Sequence, residues 1–404
     1  MKKDVIIVGA GASGMMTAIC CARNGLKVLL LEHKDQVGKK ILATGNGKCN
    51  YTNRNMSENC FRGEDVTFMK QALFSFGAED AITFFRSLGI EPKEKNGYVY
   101  PYSEQAAAVV DAMKMELLHL GVEIQKQHVS KIKALKDAFE LCTDGETFSC
   151  KKIVLATGGK ASSKLGSDGS GLVMARKLGH DIVPTVPALI GLCCKEEYYP
   201  QIAGIRMQGK VTLLVDGEKA AEDEGELQFT KYGISGIPVF QVSRYAAKGI
   251  EEGKQVEAVI DYMSAFSEND LIECLKERFH HTYKTAQEAL IGLLPSKMIP
   301  VLLQQSGIKA TMKAEKIKEP QMKQLAMQLK RKKTKITDTN GFEQAQVTAG
   351  GVSMKEVDVN TMESKIHPGL YFTGEILDID GICGGYNLQW CWTSAYLASR
   401  AIIG

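Results

Sequence analysis

Two cysteines and a tyrosine stand in glycine-rich loops at opposite ends of this 404-residue chain, and side chains of these types can move protons. Cys49 closes the run Thr44-Gly45-Asn46-Gly47-Lys48-Cys49-Asn50; Cys383 and Tyr386 lie in Gly381-Ile382-Cys383-Gly384-Gly385-Tyr386-Asn387. A thiol or phenol beside a centre that has just accepted hydride can protonate it, which makes Cys49, Cys383 and Tyr386 the candidate acids. A free cysteine is also common as plain core packing, and both readings stand.

Hydride chemistry needs a carrier, and the N-terminal residues offer a seat for one. Val5 to Val8 read as a short buried strand, followed by Gly9, Gly11 and Gly14 at the G-x-G-x-x-G spacing. A helix is expected from about Ser13 to Asn24, ended by Gly25, and a second strand from Lys27 to Leu31. Gly9 permits a tight turn, Gly11 lets the backbone approach a pyrophosphate, and Gly14 lets the helix lie close on the strand. The helix N-terminus then faces phosphates with unpaired N–H groups, while Glu32 accepts hydrogen bonds from a ribose. This pattern predicts dinucleotide binding.

Other glycine-rich strand exits extend the expected site. The segment from Gly38 to Asn53 carries too many glycines, asparagines and threonines for a regular element, so it is a loop near the cofactor. The buried strand Lys152 to Leu155 leads into Thr157-Gly158-Gly159, where the backbone can approach a ligand closely. A further cluster, Gly166 to Gly171, departs from the G-x-G-x-x-G spacing, and the sequence has no second such fingerprint. Near the C-terminus a strand ends at Gly374-Glu375, and Gly384-Gly385 precedes a helix from about Leu388 to Ile403. In a flavin site the N-terminus of that helix would face the ring where negative charge grows on reduction, with Glu375 on a ribityl hydroxyl.

Composition is that of an ordinary globular protein, 44% hydrophobic and 24% charged. Eleven cysteines without any C-x-x-C suit reduced thiols in the cytoplasm rather than a disulfide framework. Seven scattered histidines, the doublet His280-His281 included, give no metal-ligand spacing, so no metal is expected. The uncharged stretch 5–22 contains three glycines and runs into an amphipathic strand, which excludes a membrane anchor. Net charge is +3, yet residues 309–335 hold ten Lys or Arg against two Glu. Such a cluster is either a solvated helix face with its exit turn or the footprint of a polyanion.

A helix is expected over about Val66 to Leu88 and another over about Glu104 to Leu120, followed by short strands to Cys142. Texture changes from Pro184, to a β-rich stretch and then, over 266–333, a mainly helical one broken by Pro295, Pro300 and Pro320. The expected organisation is a nucleotide-binding domain in two parts, 1–187 and 343–404, interrupted by an insertion over 188–342.

The stretches Gly38-Lys39-Lys40 and Ala43 to Asn53 resemble the HI0933-like, or BaiN-like, family of NAD(P)/FAD-dependent flavoproteins. So do Gly225 to Thr230, Thr348-Ala349-Gly350-Gly351-Val352, and Gly374 to Asp378 with Gly384 to Asn387. Two positions depart from the family pattern: Lys48 stands where Arg is common, and Gly233-Ile234-Ser235-Gly236-Ile237-Pro238 replaces a shorter Gly-x-Ser-Gly-Pro. The resemblance implies an α/β Rossmann-like FAD domain of the two-dinucleotide-binding type, with an inserted β-barrel-like and helical domain that covers the flavin. It implies noncovalent FAD, contacted by Gly9, Gly11, Ala12, Ser13, Gly14, Glu32, His33, Lys40, Thr44, Gly45, Asn46, Gly47, Cys49 and Asn50. Val129, Thr157, Gly158, Gly159, Gly374, Glu375, Gly384, Gly385, Tyr386 and Asn387 complete that set.

The family resemblance implies an oxidoreductase without naming its substrate, because the cofactor carries the hard step. The leading expectation is hydride transfer to an activated C=C bond, with uridine of 23S ribosomal RNA placed slightly ahead of a small enone such as a steroid or bile-acid intermediate. In that reading RNA meets the basic segment 309–335, although aromatic residues for base stacking are sparse there. Oxidation of a small amine such as aminoacetone ranks third, and a flavin-binding redox sensor is the alternative outside catalysis. NADH or NADPH is the expected electron donor.

Overall fold

The computed structural model describes residues 3–280 and 283–404. Those elements that bear on the site are, in chain order, β1 (Val5–Val8), α1 (Ala12–Arg23), β2 (Val28–Glu32), β3 (Thr52–Asn53), β4 (Tyr98–Pro101), β5 (Glu123–Lys126), β6 (Lys152–Leu155), β7 (Leu370–Phe372) and α2 (Tyr386–Ile403). The chain divides into two compact units, Met1–Pro187 with Phe342–Gly404, and Ala188–Gly341.

In the first unit five parallel strands form one sheet in the order β7-β6-β1-β2-β5. Val-Ile-Ile-Val of β1 is buried throughout, and β2, β6 and β7 are likewise apolar runs without alternation, as a parallel sheet covered on both faces requires. Register pairs Val5 with both Val28 and Lys152, so the strands end together and aim Gly9, Glu32 and Ala156 at one edge. The chain leaves β1 toward β2 on one side while β6 flanks it on the other. This switch of direction opens a crevice at the carboxyl end of β1.

Two glycines set how close the elements lie. Gly9 has φ +101°, and a Cβ there would stand 2.5 Å from the Ala156 carbonyl oxygen. A Cβ on Gly14 would stand 1.9 Å from the Gly9 oxygen, so α1 rests on the turn only because both residues lack side chains. Helix α2 packs along α1. Its buried indoles close the joint: Trp390 Nε1 donates to Gly374 O (3.2 Å) and Trp392 Nε1 to Tyr51 O (2.8 Å).

Three sequence expectations need correction. Residues 38–53 are not loop throughout: a short helix, Lys39–Leu42, starts after the left-handed Gly38, and Thr52–Asn53 is strand β3. The single helix over Val66 to Leu88 is two, Met69–Ser75 and Ala78–Ser87. Gly77 is extended, and its N–H donates to Asp80 Oδ2 at 2.8 Å, which starts the second helix. The break turns Phe76 inward, its ring 4.8 Å from that of Tyr396. Helix α2 also begins two residues early, at Tyr386, directly after the left-handed Gly385.

The second unit contains a closed antiparallel barrel, ordered Leu192–Cys194, Gly233–Gly236, Glu218–Thr230, Arg206–Val215, Val256–Asp261 and Lys332–Thr339. The Ile237–Glu251 helix buries Val239, Val242 and Ala246 in its core. Helices between Glu268 and Lys330 pack on the same core. The fold is therefore the expected Rossmann-type α/β architecture with a barrel-bearing insertion. The basic run Lys330 to Lys333 straddles a helix end and the start of a barrel strand, not a helix and its exit turn alone. His281 lies outside the described residues.

Candidate functional site

A cleft opens at the carboxyl edge of the parallel sheet, lined entirely by the first unit. Its floor is the fingerprint turn. The Ala10 N–H donates to Glu32 Oε2 at 2.8 Å and the Lys34 N–H to Glu32 Oε1 at 2.9 Å, so the carboxylate is fixed at the end of β2. Where a Gly11 Cβ would project, nothing lies within 4 Å. Glycine there keeps the approach to the α1 N-terminus open, and the first-turn N–H groups of a twelve-residue helix face the cleft.

The opposite end is built from distant segments. Lys40 Nζ donates to Glu375 Oε2 at 2.7 Å, and the Thr348 N–H donates to Glu375 Oε1 at 2.8 Å. Thr44, Ile379, Asn387 and Cys391 line this end. Asn387 is held by its own turn: its Nδ2 donates to Gly381 O and its Oδ1 accepts from Gly381 N, both at 2.8 Å. Burial pushes the Cys391 thiol up to about 12, so it stays protonated.

Two buried polar atoms of the lining lack a hydrogen-bond partner among the described residues, Thr157 Oγ1 and His33 Nε2. His33 sits between two carboxylates, with Nδ1 3.3 Å from Glu32 Oε1 and Nε2 4.0 Å from Asp168 Oδ2. Orphaned polar atoms, an open glycine over a helix N-terminus and a fixed acid at the end of β2 suit an elongated dinucleotide.

Many of the residues singled out in the sequence meet in this cleft: Gly9, Gly11, Ala12, Ser13, Glu32, His33, Lys40, Thr44, Val129, Thr157, Gly158, Glu375 and Asn387. Others of the set do not line it. Gly14 and Gly374 lie behind the wall, where a Gly374 Cβ would stand 2.6 Å from Ser13 Oγ. Gly159 faces Thr348 instead, with 2.4 Å between its would-be Cβ and Thr348 Oγ1; that hydroxyl accepts from the Lys160 and Ala161 N–H groups. Gly45, Asn46 and Gly47 form an exposed turn. Asn50 and Gly385 contact each other, with 2.9 Å between Asn50 Oδ1 and a Gly385 Cβ.

None of the three candidate acids lines the cleft. Cys49 is fully buried, and desolvation pushes its thiol up to about 12. Tyr386 is buried and donates its hydroxyl to Asn55 O at 2.9 Å; burial raises its pKa, so it stays neutral. Cys383 is half-buried in the turn before α2.

Sequence reasoning missed Gln127 and His128 after β5, the Leu165-Gly166-Ser167 turn, Gln346 and Cys391. Two signals were present. Strand order puts the end of β5 beside Glu32, and Cys391 follows Asn387 by four residues, one helical turn on the same face.

The basic stretch 309–335 is largely tied down at its densest point. Lys330 Nζ pairs with Asp261 at 2.7 Å, Arg331 with Glu268 at 2.9 Å, and the half-buried Lys332 donates to Gln305 and Gln328. Burial lowers the pKa of Lys332. Lys333 and Lys335 are exposed on alternate positions of the barrel strand. Among the described residues no helix is long and apolar enough to cross a membrane.

A profile of the family described as HI0933-like protein Rossmann domain matches residues 3–401. The chain is 45% identical over 399 residues to a 3-dehydro-bile acid delta(4,6)-reductase of Clostridium scindens, covering 98% of each protein. It is 30% identical over 404 residues to the ribosomal RNA dihydrouridine synthase of Escherichia coli, covering 99% of this chain and 98% of that one. Among solved structures, a 3-ketosteroid-delta4-(5alpha)-dehydrogenase from Rhodococcus jostii superposes with a TM-score of 0.51 over 100% of this chain and 97% of that one. At 16% identity that likeness concerns the fold.

Proposed function

We infer the function from one premise: the chain belongs to the HI0933-like Rossmann-domain family. On that premise it is an FAD-dependent reductase of a small conjugated enone, of the steroid or bile-acid-intermediate class. The observation that carries the substrate class is the 45% identity, across 98% of both chains, to a reductase of a bile-acid intermediate. The relatives named for ribosomal RNA stand lower, at 30%, which reverses the order expected from sequence.

The residues of the cleft fit FAD. The α1 N-terminus with Gly9 and Gly11 takes the pyrophosphate, Glu32 takes the adenosine ribose, and His33 and Thr157 offer their unpaired polar atoms. Lys40, Glu375 and Asn387 hold the far half. FAD, when bound, supplies hydride at its ring. This chain's own part is to orient the two halves, exclude water and aim donors from the α2 N-terminus at the end where charge develops. A reduced nicotinamide, NADH or NADPH, is the electron donor and visits without a second fingerprint of its own. Unpaired cysteines throughout suit a cytoplasmic setting.

A second reading, reduction of a uridine in ribosomal RNA, draws on the exposed Lys333 and Lys335 and on the 30% relatives. Incubation of the holoprotein with NADH or NADPH and either a doubly unsaturated oxosteroid or ribosomal RNA separates the two. Mass spectrometry is expected to find the dihydrosteroid; dihydrouridine with unreacted steroid would establish the second reading instead.

A further inference from the structure

Strand β4 alternates strictly: Val99 and Pro101 are buried, while Tyr98 and Tyr100 share the half-exposed face. That face abuts two glycine turns outside the cleft lining, each close in sequence to a residue that lines its far end, Thr44 and Asn387. A Cβ on Gly384 would stand 2.9 Å from Tyr98 Cε1 and 3.1 Å from Tyr386 Cε2, and one on Gly45 would stand 3.6 Å from Tyr100 Cε1. β3 pairs with β4, and Asn53 on β3 donates Nδ2 to Gly384 O at 2.9 Å, which locks the turn to the strand pair. Phe61 meets the Tyr386 ring edge-on, with centroids 6.2 Å apart, and so fixes its plane.

Most charge around this face is paired, the exception being the exposed Lys95, which lies opposite Tyr98 on the Pro92–Lys95 strand. Lys48 and Lys93 both pair with Glu104, at 3.6 and 3.3 Å, and Arg54 pairs with Glu79 and Glu94 at 2.5 and 2.8 Å. A nucleic-acid backbone needs several uncommitted cations, whereas rigid aromatic faces with mostly paired charges at the rim suit a flat apolar body. Burial raises the Tyr100 phenol, with Tyr98, Cys383 and Glu104 adding to the effect, so it stays neutral.

We propose that the Tyr98–Tyr100 face, with Tyr386 at its edge, is the wall on which a fused-ring oxo-compound lies, and that these rings set the substrate class. This assignment rests on the enone reading. The rings act by contact area and shape and take no part in moving electrons.

Equilibrium dialysis of the purified holoprotein, its flavin kept reduced under anaerobic conditions, with dihydrotestosterone, an oxosteroid with no ring C=C to reduce, tests the wall without turnover. Tyr98→Ala and Tyr100→Ala should each weaken binding by about tenfold while bound FAD stays constant. Tyr98→Phe and Tyr100→Phe, which keep the ring, should bind like the native protein. If either alanine variant fails to fold, Tyr98→Leu or Tyr100→Leu preserves apolar volume without the ring and should show the same weakening. Undiminished binding in ring-free variants that retain FAD overturns the wall and leaves the enone reading intact. Absence of steroid binding by the native holoprotein overturns both.

Discussion

Lys40 Nζ and Glu375 Oε2 lie 2.7 Å apart although 335 positions separate them in the chain. The other carboxylate oxygen accepts from the Thr348 N–H at 2.8 Å. One side chain thereby joins the Lys39–Leu42 helix, the Val347–Val352 strand and the turn after β7. Both partners line the cleft and are partly exposed, at 24% and 15%, so the pair is a geometric device more than a source of stability.

Glu375→Gln should therefore weaken FAD binding while leaving the fold intact. It removes a charge-assisted bond and leaves Lys40 facing the cleft alone, which corresponds to roughly a tenfold rise in Kd. Flavin released on ultrafiltration, set against an unchanged melting temperature of the apoprotein, checks this. Native retention of FAD would show that the pair does not shape the site.

Cys49→Ala should retain both FAD and enone turnover. The thiol is fully buried outside the cleft and pushed up to about 12. The cost is expected in stability, about 1 kcal/mol for a small cavity. Loss of single-turnover reduction with FAD still bound would restore Cys49 as the acid.

Stability should fall as pH drops below about 6.5, the ordinary histidine value. His180 is buried, with Nε2 2.8 Å from Ser364 Oγ and Nδ1 unpaired among the described residues. Desolvation lowers its pKa and prevails over Glu356 and the Ala175 backbone, which raise it; His367 adds to the lowering. The unfolded chain thus takes up a proton in a range where the folded one does not, and the contribution is present above the unfolded pKa and lost below it. Melting temperatures of the native protein and His180→Gln across this range should converge at low pH. Parallel curves would contradict the assignment.

Gln389→Ala should destabilise the first unit by about 1–3 kcal/mol, because it strands buried partners. Thr52 Oγ1 donates to Gln389 Oε1 at 2.6 Å, while Gln389 Nε2 donates to Phe76 O and Thr393 Oγ1, each at 3.1 Å. Denaturant unfolding of the apoprotein measures the loss; an unchanged midpoint would mean that water replaces the amide.

Much of the fold was legible because its signals are local. The buried strands, Gly9 and Gly14 and the acid that ends β2 declare a Rossmann-type sheet within thirty-two residues. Alternating segments such as Lys210 to Val215 announced a β-rich unit, and only the family resemblance implied that it is a barrel. Side-chain direction inside the Thr44–Asn50 loop was not legible. Gly45, Asn46, Gly47 and Cys49 all adopt positive φ, and this succession turns Cys49 into the core. Nor was the state of the basic run, since Lys330 and Arg331 find Asp261 and Glu268 more than sixty positions away. Pairing between distant segments depends on topology that no local pattern carries.

The most direct test of the central claim is an anaerobic single-turnover experiment on the holoprotein with its flavin chemically reduced. Mixing with a doubly unsaturated oxosteroid should reoxidise the flavin and yield one equivalent of dihydrosteroid, while ribosomal RNA should leave it reduced. Reoxidation by RNA with dihydrouridine formed, or a flavin that stays reduced in the presence of steroid, would contradict it.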